Sequence, residues 1–213
     1  MNLLNYPRIK PFFRLIGLLL LLLSAPSQVL AYSHQYVNTM RSGVTDNMFV
    51  HQAIEGEFGR MGLQIDGEPA SEAWAGYGFR NGFGIELMKF VQFGAHHTYL
   101  NMNNRESSNE RMVGSRFSGD VKFVFSAPII NLEMGGGAIL SRYDYHRELT
   151  RSGLMGTGLY YMIGVNYFMS HRMSFFTQVK SVEEGLTKTS GNAFDSDLTL
   201  NTTSIGAGFA SWL

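Results

Sequence analysis

The fold is decided by "GLYYMIGVNYFMSHRMSFFTQVKS", residues 158–181, an apolar and aromatic run broken near its middle by Ser170, His171 and Arg172. Before the break, Leu159, Tyr161, Ile163, Val165 and Tyr167 form one apolar face, and Tyr160, Met162, Gly164 and Asn166 form the other. After it, Met173, Phe175, Thr177 and Val179 alternate with Ser174, Phe176, Gln178 and Lys180. Period-two alternation on both sides of a short polar break is the pattern of a β-hairpin, with the break as its turn.

The same alternation extends outward along the chain. Residues 115–125 set Phe117, Gly119, Val121, Phe123 and Phe125 against Arg116, Ser118, Asp120 and Lys122. The next segment sets Ile130, Leu132, Met134, Gly136, Ala138 and Leu140 against Asn131, Glu133, Gly135, Gly137 and Ser141. The last sets Thr203, Ile205, Ala207, Phe209 and Leu213 against Ser204, Gly206, Gly208 and Ala210. Small and polar residues on one face suit the narrow interior of a small barrel, and apolar residues on the other suit lipid.

Eight strands are expected, at 48–65, 72–79, 83–100, 115–125, 129–143, 155–169, 173–182 and 198–212. Three connections are short: "RNG" at 80–82, "SAP" at 126–128 and "SHR" at 170–172. Three are long and polar: "NMNNRESSNERMVG" from 101, "DYHRELTRSGL" from 144 and "EEGLTKTSGNAFDSD" from 183. "DGEPA" at 66–70 is a short exception. Alternating short and long connections are what a transmembrane barrel makes of its periplasmic turns and extracellular loops. The first strand is untidy, with Glu55 and Glu57 sharing a face with Met61, Leu63 and Ile65, and a bulge near Gly59 would restore its pattern. Lys89 falls on the apolar face of the third strand unless a bulge turns it inward.

Composition agrees with a folded chain. Of its 213 residues, 45% are hydrophobic and 16% charged. Residues 1–31 read as a signal peptide: Arg8, Lys10 and Arg14 precede an apolar run, and Val29 and Ala31 form the cleavage site. Residues 32–47 are then a periplasmic N-terminal segment and 48–213 the barrel domain. Removing the leader takes three of the 17 basic residues and none of the 17 acidic ones, leaving 14 against 17 and a net charge of −3. No nucleic-acid surface is implied. Cysteine is absent although the leader directs the chain to a compartment that permits disulfides. Past residue 31 no charge-free apolar stretch reaches the ~18 residues of a helical span, so any membrane crossing is made by strands.

With "LEMGGGAILSRYDY", "GLYYMIGVNYFMSHRMSFFTQV" and the closing "TTSIGAGFASWL", residues 48–213 resemble the small eight-stranded outer-membrane β-barrels of the opacity-protein and OmpA-like superfamily. The resemblance implies an all-β fold, an eight-stranded antiparallel transmembrane barrel with short periplasmic turns and longer extracellular loops, in the outer membrane of a Gram-negative bacterium. It implies contact with outer-membrane lipid and lipopolysaccharide, and recognition of the C-terminal strand by the barrel-insertion machinery. Members usually end in an aromatic residue; here Trp212 is penultimate.

Glu72, Glu86, Arg116, Asp120, Lys122, Glu133, Arg142 and Lys180 are expected inside, where mixed signs neutralise one another in a plugged lumen. Eight strands leave an interior filled by side chains, which disfavours a wide pore. Trp74, Tyr143, Tyr145, Tyr160, Tyr161, Tyr167 and Trp212 are expected as interface girdle residues. The chemical candidates are Asp144 and His146, two apart and therefore on one face of an extended segment, where the carboxylate can orient the imidazole as a general base. The pair is similar to the Asp and His of the omptin outer-membrane proteases, whose larger barrel and further acidic partners have no counterpart here; a polar loop base is the plainer reading. Ser170, His171 and Ser174 read as turn residues. His96 and His97, adjacent in a strand, point to opposite faces and cannot share a metal. Gly135 to Gly137 lack the Lys and Ser/Thr of a phosphate loop and permit bending or close packing of the wall. No metal or cofactor is expected.

The function expected is non-enzymatic: a structural, surface-recognition or adhesion role with a possible extracellular ligand or host surface, or passage of a small apolar solute. A hydrolase acting on lipid A or peptide and a soluble periplasmic lipocalin-like barrel are the alternatives.

Overall fold

The structure, a computed structural model, describes residues 48–65, 68–87, 90–127, 130–170, 172–191 and 198–213. Eight strands follow in order: β1 (Met48–Ile65), β2 (Glu68–Leu87), β3 (Val91–Asn104), β4 (Glu110–Ser126), β5 (Ile130–Arg147), β6 (Thr150–Phe168), β7 (Met173–Ser190) and β8 (Leu198–Trp212). Each pairs antiparallel with its neighbours and β8 closes on β1, so the sheet is an all-antiparallel closed barrel. Closure leaves no edge, which suits a medium that offers no hydrogen bonds. No helix occurs among the described residues. The leader, the 32–47 segment and Lys89 lie outside the described residues.

The strand count and the antiparallel closure agree with the sequence reading; several boundaries do not. Arg80, Asn81 and Gly82 are not a turn but lie within β2, which runs on to Leu87. "RNG" carries turn chemistry, yet the alternation runs straight through it: Tyr77, Phe79, Phe83, Ile85 and Leu87 point outward, while Arg80 and Glu86 are buried inside. No bulge occurs at Gly59, because β1 and β2 pair without interruption from Met48↔Ile85 to Ile65↔Glu68. The register shift lies instead between Gly153 and Leu154, where β6 meets β7. Among the described residues, much of the sequence expected as long loops is strand. Strands continue through most of the three polar stretches, leaving connections at 105–109, 148–149 and 191–197. At 148–149 the two-residue turn is made by Glu148 in the left-handed region, φ 49°.

The outward face explains both results. From the end where β1 begins and β8 finishes, each wall is apolar for a limited length: Met48, Val50, Ile54 and Phe58 on β1, Met134 and Leu140 on β5, Tyr161 and Tyr167 on β6. Then polar residues take over, with Arg60, Arg111, Arg142, Arg151, Glu183 and Asn201 as exposed outward positions. The apolar part of β1 or β5 spans about 11 residues, the length a tilted strand needs to cross a bilayer. Inside, the order is reversed. Alongside the apolar belt the lumen is charged and polar; above it lies a core of Met61, Trp74, Leu100, Met102, Met112, Tyr143, Tyr145, Leu154, Leu186, Leu198 and Leu200, all buried. The lower barrel is built like a membrane protein and the upper barrel like a water-soluble one, on the same eight strands.

Arg142 therefore faces outward rather than into the lumen; the other seven charged residues expected inside are there, Glu72 half-buried at the rim. Trp74, Tyr143, Tyr145, Tyr160 and Trp212 are not girdle residues but luminal ones, all buried, whereas Tyr161 and Tyr167 do face outward.

Candidate functional site

The lumen is the part of the molecule with organised polar chemistry, and it is stacked in layers. At the end where β1 begins, Trp212 packs on Phe49 at 4.9 Å and on Phe168 at 5.8 Å. A small cavity above them, lined by His51, Arg80, Gln92, Lys122, Glu133 and Asn166, has room for about one water molecule. Gln92 donates to Glu86 at 3.0 Å, Asn166 to Glu133 at 3.1 Å, and Lys122 lies 3.5 Å from Glu133.

Next comes a chain of four residues. His51 Nε2 is 2.9 Å from His96 Nδ1, His96 Nε2 is 2.7 Å from Asp120, and the Tyr160 hydroxyl donates to the same Asp120 oxygen at 2.7 Å. Two glycines permit it. His51, Gly82 and His96 are partners in register across β1, β2 and β3, and Asp120, Gly137 and Tyr160 across β4, β5 and β6. With no side chain on the middle strand, the outer two meet over it. A Cβ on Gly137 would run into the Gly119 carbonyl and sit 2.8 Å from Tyr160 Cε1. Gly137→Val should therefore displace Tyr160, break its bond to Asp120 and destabilise the barrel by about 1–3 kcal/mol, read as a lower urea midpoint.

Above this chain two ion-pair hubs fill the lumen. Glu55, fully buried, holds Lys180 at 2.7 and 2.8 Å and Arg80 at 3.2 Å, and accepts from Gln178 at 3.1 Å. Arg116 pairs with Glu57 and with Glu184, the latter at 2.5 Å, and donates to the Tyr143 hydroxyl at 2.7 Å; Tyr143 in turn donates to Glu184 at 2.8 Å. Beyond the apolar core, the rim is closed by Asn104, which donates to Glu72 at 3.0 Å and Glu110 at 2.9 Å, and by Tyr145, which donates to Glu110 at 2.8 Å. Burial, and then the neighbouring Glu110 carboxylate, raise the Glu72 carboxyl above its ordinary value, with Arg147 opposing them. An acid that binds its proton more tightly folded than unfolded stabilises the fold as pH falls through its folded value. Wild-type protein should thus gain stability at Glu72 as pH falls from neutral toward the ordinary glutamate value of 4.5, and Glu72→Gln should remove that gain in urea titrations across the same range.

Sequence reasoning missed His51, Glu55, Glu57, Arg80 and Glu184 as luminal groups and did not say which of His96 and His97 faces inward. The structure buries His96 inside, at 4% exposure, while His97 faces outward and stacks on Phe117 at 4.6 Å. Both ring nitrogens of His96 are engaged, by His51 and by Asp120. Asp144 and His146 share one face, as their spacing requires, and that face is the outward one above the belt. Asp144 is ion-paired with Arg151 at 2.8 Å, and the barrel wall separates the pair from the luminal acids. His146 stands in register between Arg111 and Arg151, and Arg142 lies further down β5 on the same face. Ser170 caps the turn, accepting from the backbone of Arg172 at 3.3 Å and Met173 at 3.1 Å; Ser174 is buried in the lumen, and His171 lies outside the described residues.

No family model matches the chain, and no curated protein does. Solved structures do. Neisserial surface protein A matches with a TM-score of 0.58 at 14% identity, over 78% of this chain and 97% of that one. The outer membrane protein OprG of Pseudomonas aeruginosa matches with a TM-score of 0.50 at 10% identity, over 79% and 96%. The outer membrane protease OmpT of Escherichia coli is also matched, with a TM-score of 0.43 at 12% identity, over 79% and 97%. At such identities the likeness is one of fold, and it agrees with the closed eight-stranded sheet: this chain has the fold of the small eight-stranded outer-membrane β-barrels.

Proposed function

We propose that this chain is a non-enzymatic integral protein of the bacterial outer membrane, closed to solutes, with a structural or recognition role at the outer surface. The observation that carries the reading is the exchange of apolar and polar faces at one level of the wall. Below that level the belt faces lipid and the ion pairs fill the lumen; above it, eleven buried apolar residues fill the lumen and a polar wall faces water. The filled lumen favours a structural or recognition role over passage of a small apolar molecule. The leader 1–31 is removed near Ala31, and the C-terminal strand is read by the insertion machinery; N-terminal sequencing of the mature protein should begin at Tyr32.

The outer wall of β4, β5 and β6 supplies the contact. Arg111, Arg142 and Arg151, with His146 among them and Asp144 as the one acid, lie immediately above the belt, at the level of outer-leaflet headgroups. Guanidinium groups suit the phosphates of lipopolysaccharide through charge-assisted hydrogen bonds. The test is the amount of phosphate-bearing glycolipid retained by barrels extracted in mild detergent. The Arg111→Ala, Arg142→Ala, Arg151→Ala triple variant should retain much less than wild type while still migrating as a folded barrel before boiling. Equal retention sinks this contact. Recovery in the soluble periplasmic fraction sinks the membrane placement, and a peptide- or lipid A-hydrolysing activity abolished by Asp144→Ala or His146→Ala sinks the non-enzymatic reading.

A further inference from the structure

Resting on the membrane placement proposed above, we infer that the wall formed by β1, β2 and β3 is a contact surface between two copies of this chain within the bilayer. Gln52 is the register partner of Asn81, and Asn81 of His97. All three point outward, Gln52 exposed and the other two part-exposed. They form one continuous polar rung across three strands, with neighbouring side chains about 5 Å apart.

The rung lies inside the apolar belt. Toward the start of β1 it is followed by Val50, Phe83 and Ala95, with Phe93 beyond, and in the other direction by Ile54, Phe79 and Tyr99, all but Ala95 exposed large side chains. Along the rung it continues into Phe209 on one side and Phe117 on the other. At the upper edge of the belt the outward amide of Asn101 is already bonded to Tyr77 and Arg111; other polar side chains on the belt are hydroxyls such as Thr157 and Thr177. Lipid tails offer the groups of the rung no partner, so three of them in a row are unfavourable unless another protein supplies one.

A second copy supplies it. An amide carries donors and an acceptor together, so it is complementary to itself. A two-fold axis along the membrane normal beside Asn81 brings the two Asn81 side chains together and sets Gln52 and His97 on either flank, inside the contact. The wall is also not uniformly convex: a groove lined by Val50, Gln52, Asn81, Met173 and Phe209 runs beside the rung and lets a second barrel approach closely.

The chain has no cysteine, so single-cysteine variants report contacts cleanly. Asn81→Cys should form a disulfide-linked homodimer in membranes under mild oxidation, whereas Leu159→Cys, exposed on the opposite wall four strands away, should not. Adding Gln52→Leu and His97→Phe to Asn81→Cys should lower that linkage by about tenfold, the loss of one or two hydrogen bonds in lipid. The inference is overturned if Asn81→Cys links no more than Leu159→Cys, if it links to a different protein, or if Gln52→Leu and His97→Phe leave linkage unchanged. Each variant is also run with and without boiling. A monomer that keeps its heat-dependent shift removes the dimer alone; loss of the shift in the parent protein removes the membrane barrel, and the dimer with it.

Discussion

Glu55→Ala should lower barrel stability by about 3–5 kcal/mol, the scale for removing one partner of a buried ion pair. The carboxylate is the single acid between Lys180, at 2.7 and 2.8 Å, and Arg80, at 3.2 Å, and it is fully buried. Without it two cations face each other in a lumen with little water to screen them, and Gln178 and Ser204 lose an acceptor. The readout is the urea concentration at which the fast-migrating unboiled form disappears. Glu183→Ala, an exposed outward acid on β7, the strand that carries Lys180, should move that midpoint by less than about 0.5 kcal/mol equivalent. Adding Lys180→Met to Glu55→Ala should recover part of the loss, because it removes one orphaned charge. If Glu55→Ala behaves like Glu183→Ala, the hub does not hold the lumen together.

How much of this was legible in the sequence depends on which side of each strand is considered. Alternation in 115–125, 158–168 and 198–212 identified the outward face correctly, because lipid demands an unbroken apolar row and the row is local in sequence. The luminal contacts were not legible. His51, His96 and Asp120 come from three strands, and what lets the two histidines touch is the absence of a side chain on Gly82 between them. That absence means something only once the register is known, and register is a pairing property rather than a property of one strand. The acidic face of β1 is the clearest case. Glu55 and Glu57 share a face with Met61, which resembled a register fault needing a bulge at Gly59. It is the crossover itself: the inner face is polar beside lipid and apolar above it, so one strand carries charge and then core on the same side. The three polar stretches read as loops for the same reason. Tyr145, Ser152, Leu154 and Leu186 alternate inward there, but their outward neighbours are polar because they meet water, and the polarity hid the alternation. Asp144 and His146 were placed on one face correctly, since two residues in an extended chain always are; that the face is the outer one follows only from closure.

The second large effect should separate the two layers. Trp74 is 1% exposed, packs against Tyr145 at 5.9 Å between ring centres, and belongs to the apolar core above the belt. Trp74→Ala removes the bulkiest side chain of that core and should cost about 3–5 kcal/mol, because the rigid closed wall collapses little into the space left. The loss falls on the upper barrel. Its water-facing strands have no lipid to hold them extended, so their order depends on this core, whereas the lower barrel keeps its belt and both ion-pair hubs. Trypsin added to intact cells should therefore cut the variant faster at Arg105, Arg111 and Arg151, which are exposed on the upper part, while unboiled protein still migrates as a barrel. Leu198→Ala, at 1% exposure in the same core, should produce the same split with a smaller effect, about 2–4 kcal/mol. If protease resistance and the heat-dependent shift are lost together, the strands unfold as one cooperative unit, and the core above the belt is not a separable layer. If neither changes, the upper strands are held by their hydrogen-bonded closure alone, and the buried apolar residues contribute much less than their packing implies.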